Sequence, residues 1–227
     1  MFKIKGRAGF TLTEILITLG IIGVVAAVTI PMVVANYQTM QRVSQVKKIY
    51  SEFANATKQV VDDNNGTLMG RFIQYVYDPV EAYSPYFHIN KTCPMGNANG
   101  TDKCFHSAFK YLNGTDYAFM ATLSSRSSGY ILDNGMLVLF YGGQGASKIC
   151  TVDGNPDSCN IVMIDINGWK QPNTVGYDIF WFVITTNSFV PVSKTRYPTI
   201  ECIFKPAAGW NGVNNAGYTC SSTLLLQ

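Results

Sequence analysis

The pattern of hydrophobic positions divides the chain into an apolar N-terminal run, an amphipathic stretch and a longer region of short alternating segments. Residues 15–35 are almost wholly apolar, and no charged residue occurs between Glu14 and Arg42. In a helix that rises about 1.5 Å per residue, this run is long enough to cross a hydrocarbon core about 30 Å thick. The sequence therefore predicts a membrane-spanning helix near the N-terminus.

After the apolar run, the hydrophobic positions recur at spacings of three and four residues, as in a helix with one buried face. The side chains on that face are Val43, Val46, Tyr50, Phe53, Thr57 and Val60. Asn64-Asn65-Gly66 follows as a stop signal. We predict one helix from Phe10 to about Asp63, the second half of which packs under a sheet.

The remainder of the chain has the pattern of a β-rich domain. Strand signals predict strands at residues 116–123, 130–133, 136–141, 161–166, 179–185 and 199–204. Asn134-Gly135 lies between two of them and is a strong hairpin signal. Residues 67–115 mix aromatics with proline and asparagine, which predicts loops and short elements. A long helix followed by antiparallel strands gives an α+β fold.

Composition excludes several classes of protein. With 47% hydrophobic and 14% charged residues, the chain is not of the disordered type. Lys3, Lys5 and Arg7 precede the apolar run, and the other basic residues equal the 14 acidic residues in number, so a nucleic-acid partner is not indicated. Two histidines and no nucleophile, metalloprotease or nucleotide motif predict that the protein is not an enzyme.

The six cysteines predict disulfide bonds formed in an oxidising compartment. They are Cys93, Cys104, Cys150, Cys159, Cys202 and Cys220, all beyond the apolar run. None forms a Cys-x-x-Cys pair of the kind that binds zinc. Their spacings favour sequential pairing, Cys93–Cys104, Cys150–Cys159 and Cys202–Cys220, among fifteen connectivities.

The start of the apolar run argues against the two simplest interpretations of it. An ordinary secretory signal would be cut near Ala26–Ala27, and a plain signal anchor would not be cut. However, Glu14 places a charge at the start of the run, and the run passes into the amphipathic stretch without a cleavage-site break. Instead, Gly9-Phe10-Thr11-Leu12-Thr13-Glu14, after a basic leader, resembles the prepilin peptidase site of type IV pilins and type II secretion pseudopilins.

The resemblance covers roughly residues 6–40 and implies a set of site residues. In that family the leader is cut between glycine and phenylalanine, here Gly9 and Phe10, and the new N-terminal phenylalanine is methylated. Glu14, four residues after Phe10, matches the glutamate used in assembly, and Pro31 matches a proline that bends the helix. The implied organisation is a leader (1–9), a transmembrane and assembly helix (10–36), and an amphipathic helix half with a globular β domain (37–227).

The resemblance also implies location and partners. The subunit would cross the inner membrane once, with its C-terminal domain outside the cytoplasm, and then enter a pilus or pseudopilus in the periplasm or at the cell surface. The implied partners are a prepilin peptidase, other copies and related pilins, an inner-membrane assembly platform and the lipid bilayer. A membrane-tethered minor pilin that mainly binds a surface, a sugar or DNA stays open as the alternative.

Oxygen-bearing side chains in residues 165–178 raise the question of a metal ion. Asp165, Asn167 and Asp178 are candidate ligands, because calcium takes oxygen ligands of this kind. The competing interpretation is that they form Asx turns in a strand connection. We otherwise expect no cofactor.

Overall fold

The structure of the protein is a computed structural model, which describes residues 9, 11–69, 78–96, 98, 103–116, 127–141, 151–152, 155–156, 158–193, 202 and 217–226. The chain divides into two compact units, Met1–Gln41 and Arg42–Gln227. Helix α1 (Leu12–Asp63) contributes to both units. A long N-terminal helix followed by an antiparallel sheet confirms the predicted α+β fold.

In the first unit, α1 exposes its apolar side chains. Leu16, Ile22 and Val28 are each about two-thirds exposed, and the same is true of most of their apolar neighbours. Among the described residues, α1 is the helix whose length and composition are sufficient to cross a membrane. An apolar surface of this extent is unfavourable in water, so this part of α1 needs lipid or protein around it.

In the second unit, α1 buries one face against the sheet. The buried side chains are Val46, Ile49, Phe53, Ala56, Thr57, Val60 and Val61. Phe53 lies at the centre of an aromatic cluster, with its ring centroid 4.5 Å from that of Phe87 and 5.1 Å from that of Phe189. The predicted amphipathic half of the helix is therefore a core helix.

The end of α1 is fixed by the predicted stop signal. Asn65 and Gly66 adopt left-handed backbone angles, with φ of 58° and 82°. The Gly66 N–H donates to the Val61 carbonyl at 2.9 Å, which is the six-to-one bond of a Schellman motif. These residues satisfy carbonyls that the last helical turn leaves unpaired.

Six strands form the main sheet, in the order β1-β2-β3-β6-β7-β8, and each neighbouring pair is antiparallel. The strands are β1 (Ile89–Cys93), β2 (Ser127–Leu132), β3 (Leu137–Tyr141), β6 (Ser158–Asp165), β7 (Ile179–Thr185) and β8 (Phe189–Pro191). A separate pair is formed by β4 (Thr151–Val152) and β5 (Asn155–Pro156).

Both faces of the sheet are buried. Phe140, Val162 and Phe182 belong to the core cluster that includes α1. Their neighbours Leu139, Met163 and Val183 belong to a second cluster on the opposite face, which contains Phe105 and Phe109. This is the expected result of the two-residue alternation of side chains along a strand.

The predicted hairpin around Asn134-Gly135 joins β2 to β3. The Gly135 N–H donates to the Leu132 carbonyl at 2.8 Å, and Gly135 has φ of 85°. Asn134 does not share this left-handed angle, so the loop is a turn followed by a glycine bulge rather than a two-residue turn.

Other elements agree with the sequence predictions to different degrees. Strand β7 has the predicted bounds, whereas β2 and β6 each begin three residues earlier than predicted. Within the predicted loop region lie α2 (Pro79–Tyr83), a 3₁₀ turn (Ser84–Tyr86) and β1. The predicted strands at 116–123 and 199–204 lie outside the described residues, apart from Asp116 and Cys202.

A short C-terminal helix, α3 (Cys220–Leu225), packs beside β7. Its Ser221 hydroxyl is buried and donates to the Trp181 carbonyl at 2.6 Å. The disulfide between Cys202 and Cys220 holds the start of this helix.

Candidate functional site

The start of α1 is closed by a reciprocal capping box between Thr11 and Glu14. The backbone N–H and the hydroxyl of Thr11 both donate to Glu14 Oε2, each at 2.8 Å. In return, the Glu14 N–H donates to Thr11 Oγ1 at 3.3 Å. Thr11 is therefore the N-cap residue, and Glu14 is the third residue of the helix.

This arrangement positions the carboxylate that the sequence predicted for assembly. Glu14 is exposed at the end of the apolar surface of α1. Hydrogen bonds within the described part of the chain use Oε2. A carboxylate has about four acceptor positions, so Glu14 retains capacity to bind a cationic group.

Gly9, on the carboxyl side of the leader, is exposed and lies outside α1. A Cβ placed on Gly9 would meet no atom within 4 Å. Phe10 and the basic residues Lys3, Lys5 and Arg7 lie outside the described residues. On its described side, the predicted cleavage site is thus non-helical and open.

Pro31 lies inside α1. It has no N–H, so the helical bond to the Ala27 carbonyl is missing at this point. Gly20 and Gly23 lie earlier in the same exposed surface, and a Cβ at either would meet nothing within 4 Å. These three residues are where the apolar part of the helix has the weakest local preference for helix.

The hydroxyls within the apolar part of α1 are satisfied by the helix itself. Thr18 Oγ1 donates to the Ile15 carbonyl at 2.9 Å, and Thr29 Oγ1 donates to the Val25 carbonyl at 2.9 Å. Because lipid offers no hydrogen-bond partner, such internal bonds make these threonines compatible with a hydrocarbon environment.

Two of the three predicted disulfides are present. Cys93 is bonded to Cys104, and Cys202 to Cys220. Cys159 is also disulfide-bonded, while its predicted partner Cys150 lies outside the described residues, so that pairing stays a prediction.

The structure brings together the three residues predicted to bind calcium. The Asn167 N–H donates to Asp165 Oδ1 at 2.9 Å, and Asn167 Nδ2 lies 3.2 Å from Asp178 Oδ2. Asp178 also accepts the backbone N–H groups of Asn173 and Thr174. The cluster therefore organises the connection between β6 and β7, as the Asx-turn interpretation predicted.

Asp165 also has a partner that sequence reasoning missed. Its Oδ2 lies 2.9 Å from His106 Nε2, and both side chains are buried. The two residues are 59 positions apart, so no local sequence signal connects them.

Burial has the largest effect on the pKa values of the two aspartates in this cluster. It raises the pKa of Asp165 to about 6, while the His106 hydrogen bond opposes the shift and the nearby Asp178 charge adds to it. Burial likewise raises the pKa of Asp178, against the hydrogen bonds from Thr174, Asn173 and Asn167.

One observation argues against a cation in this cluster, and another favours one. Among the described residues, no group of three His, Cys, Asp or Glu side chains is placed to hold a metal ion. Within the described part of the chain, the Oδ1 atoms of Asn167 and Asn173 are nevertheless buried and have no hydrogen-bond partner. Calcium binding at Asp165, Asn167 and Asp178 stays a prediction.

Together, the fold and the N-terminal site define a class of α+β protein. Its long N-terminal helix begins with an exposed apolar part that a glutamate caps, and an antiparallel sheet follows. Residues 4–30 match the family model of the prokaryotic N-terminal methylation motif, the signature of type IV pilins and pseudopilins. The motif and the apolar helix indicate a type IV pilin-like subunit. No curated protein and no solved structure gives a significant match to the chain.

Proposed function

We propose that this chain is a structural subunit of a type IV pilus or a type II secretion pseudopilus, without catalytic activity. A prepilin peptidase cuts it between Gly9 and Phe10, an inner-membrane platform takes it up, and it polymerises through its N-terminal helix with its own copies and related pilins. The observation that carries this proposal is the exposed apolar half of α1, headed by the Glu14 carboxylate and lying within the methylation motif.

Membrane insertion follows from the charge pattern and the exposure of α1. Lys3, Lys5 and Arg7 precede the apolar run and keep its N-terminus in the cytoplasm. A single crossing then places the C-terminal domain outside. The disulfides Cys93–Cys104 and Cys202–Cys220 support this orientation, because such bonds persist in oxidising compartments.

Assembly follows from the charges that cleavage creates. Cutting after Gly9 leaves a cationic amine on Phe10, four residues before Glu14 in the sequence. Either charge is unfavourable alone in an apolar environment, and a pair is much less so. We propose that the amine of one subunit pairs with Glu14 of its neighbour and sets the axial register of the filament.

N-terminal sequencing and intact mass of the full chain, expressed with a prepilin peptidase, test the first step. The proposal predicts a chain that starts at Phe10 and carries a methyl group. A Gly9→Val variant should retain Met1, whereas the matched Gly6→Val variant should still be cut. A native chain that starts near Val28, or that retains Met1, overturns the proposal.

One observation favours a binding role as a second candidate. A cavity of about 340 Å³ lies beside α1, lined by the polar side chains of Lys48, Glu52, His88 and Asp133 and by the Tyr86 and Phe87 rings. Aromatic rings beside polar groups suit a sugar. Imaging cells that lack this chain separates the two roles: intact filaments with lost surface attachment favour binding, and missing filaments favour the structural role.

A further inference from the structure

Two loops, the β6–β7 loop and the β2–β3 turn, lie at the end of the sheet where the second unit's part of α1 begins. The guanidinium of Arg42, the first residue of that unit, lies 3.6 Å from the centroid of the Tyr177 ring, in the loop between β6 and β7. The same loop touches the β2–β3 turn, since a Cβ on Gly168 would lie 2.4 Å from the Gly135 carbonyl oxygen.

The opposite end of the sheet lies near the end of α1. After α1 ends, the Leu68 N–H donates to the Thr186 carbonyl, in the turn between β7 and β8, at 2.7 Å. The β6–β7 loop and the β7–β8 turn are thus at opposite ends of β7. Only the former lies beside the N-terminal part of the core helix.

The β6–β7 loop exposes an aromatic side chain with a cation next to it. Trp169 is 49% exposed, and its ring contacts the edge of His106 at 5.0 Å between centroids. Lys170 follows it and is exposed. Among the described residues of the second unit, only Met69 and Leu226 are other large apolar side chains with comparable exposure.

A second cation is held against this loop by backbone hydrogen bonds. The Lys110 N–H donates to the Asn173 carbonyl at 2.9 Å, and its carbonyl accepts the Val175 N–H at 2.8 Å. The Lys110 side chain is exposed. Among the described residues, the exposed acids on adjoining segments are Asp116 and Asp133, so the charges of the two lysines are nearly balanced and the Trp169 indole is the main apolar surface here.

This loop contacts Arg42, which is only a few positions along the chain from the segment that would be in lipid. Arg42 follows Ala35, the end of the apolar run, by seven residues, and seven residues span at most about 25 Å even when fully extended. Tryptophan is enriched at membrane–water boundaries, because its ring is apolar while its N–H bonds to headgroups. Lysine near such a ring attracts lipid phosphates.

We propose that the β6–β7 loop is a membrane-docking element, in which Trp169 enters the headgroup region of the outer leaflet while Lys170 and Lys110 contact lipid phosphates. The inference rests on the proposed insertion of α1 in the membrane. Before assembly, the docked loop gives the subunit a second lipid contact besides its helix. This contact fixes the orientation of the globular domain. Entry into a filament breaks this contact.

Fluorescence quenching by brominated lipid tests the docking. The full chain is reconstituted in phosphatidylethanolamine–phosphatidylglycerol vesicles whose acyl chains carry bromine near the headgroup. Trp181 is buried and Trp210 lies outside the described residues, so the difference between the native protein and Trp169→Phe isolates the Trp169 signal. We expect about a twofold fall in that signal, since the ring lies at headgroup depth.

Two variants sharpen the test. Met69→Trp in the Trp169→Phe background places an exposed ring at the opposite end of the sheet, and this ring should escape lipid quenching. Lys170→Gln should weaken docking about fivefold, because each lysine near an anionic surface contributes about that factor.

Flotation and resistance to alkaline carbonate report separately on insertion of α1. An inserted chain whose Trp169 is quenched by acrylamide but not by bromolipid overturns the docking and leaves the pilin-like assignment standing. If Trp169 is protected from both quenchers and this protection disappears on dilution in excess lipid, the ring contacts another protein molecule. This result also overturns the docking. A chain that neither floats nor resists carbonate overturns both the docking and the proposed membrane anchor.

Discussion

Thr11 and Glu14 hold each other through three hydrogen bonds at the start of α1, two of them accepted by Glu14 Oε2 at 2.8 Å. Glu14 therefore has a structural role in the single subunit, in addition to the role that the resemblance implies in assembly. It caps the start of the helix immediately beyond the predicted cleavage site. Substitutions at these two positions therefore have different effects. A change at Thr11 removes the cap alone, whereas a change at Glu14 removes both the cap and the negative charge.

Thr11→Ala is expected to loosen the first turn of α1 while leaving the Glu14 charge in place. The variant loses the hydroxyl that donates to Glu14 Oε2 and accepts the Glu14 N–H. Hydrogen exchange of the Glu14 amide, measured by NMR on the cleaved subunit in micelles, should become several-fold faster.

Thr18→Ala is the matched control, since the Thr18 hydroxyl donates to a carbonyl within the helix and not at its end. It should leave the Glu14 amide unchanged. Equal exchange rates in Thr11→Ala and in the native subunit would show that the capping box is not formed in solution.

Pro31→Ala is expected to strengthen the isolated helix and weaken assembly. Proline is about 3 kcal/mol less favourable than alanine inside a helix, and alanine would restore the bond to the Ala27 carbonyl. Amides around residue 31 should exchange more slowly in micelles, and filaments should be fewer if packing requires the helix to bend or unwind there. Val33→Ala, at an exposed position of the same surface, serves as control. Undiminished filaments in Pro31→Ala would remove the assembly role of Pro31.

Gly176→Ala is expected to destabilise the globular unit more than Gly114→Ala. Both glycines have left-handed angles, with φ of 83° and 86°, so alanine is strained at either. A Cβ on Gly176 would lie 2.6 Å from Cys220 Sγ, whereas one on Gly114 would meet nothing within 4 Å.

The contact with the disulfide should lower the free energy of unfolding by about 1–3 kcal/mol beyond the backbone effect. Denaturant unfolding of the oxidised full chain in detergent measures the difference. Equal losses in the two variants would mean that the loop moves freely away from the Cys202–Cys220 bond.

Calcium, if it binds as predicted, should raise the melting temperature of the full chain. A ligand that binds only the native state stabilises it by about 2.7 kcal/mol at 100 times its dissociation constant. Asp178→Asn should remove the calcium-dependent shift, while Asp133→Asn, at an exposed turn position, should keep it. A melting temperature that does not change at millimolar calcium argues against the site.

The elements with local signals were predictable from the sequence. Helix α1 ends where Asn65 and Gly66 supply left-handed angles, and Asn134-Gly135 marks the β2–β3 turn, because both depend on neighbouring residues alone. Strand β7 consists of six consecutive buried apolar residues followed by Thr185, so its bounds were also visible in the sequence.

The elements that depend on distant contacts were not predictable. Helix α3 has six residues and is held by the Cys202–Cys220 bond and by the hydrogen bond from Ser221 to Trp181. The His106–Asp165 pair likewise exists only after folding joins two distant segments. At the helix start, the order Thr11-x-x-Glu14 is itself a capping-box signature, whereas the resemblance implies a role only for the charge of Glu14 and none for its hydrogen bonds.

The most direct test of the proposed assembly is a count of filaments on cells that express Glu14→Ala, Glu14→Asp or the native chain with the assembly machinery. Flotation and N-terminal sequencing should show that all three are inserted and start at Phe10. We predict that Glu14→Ala produces no filaments and that Glu14→Asp, one methylene shorter, produces fewer than the native chain. Filaments of Glu14→Ala as abundant as those of the native chain would contradict the pairing of Glu14 with a neighbouring subunit.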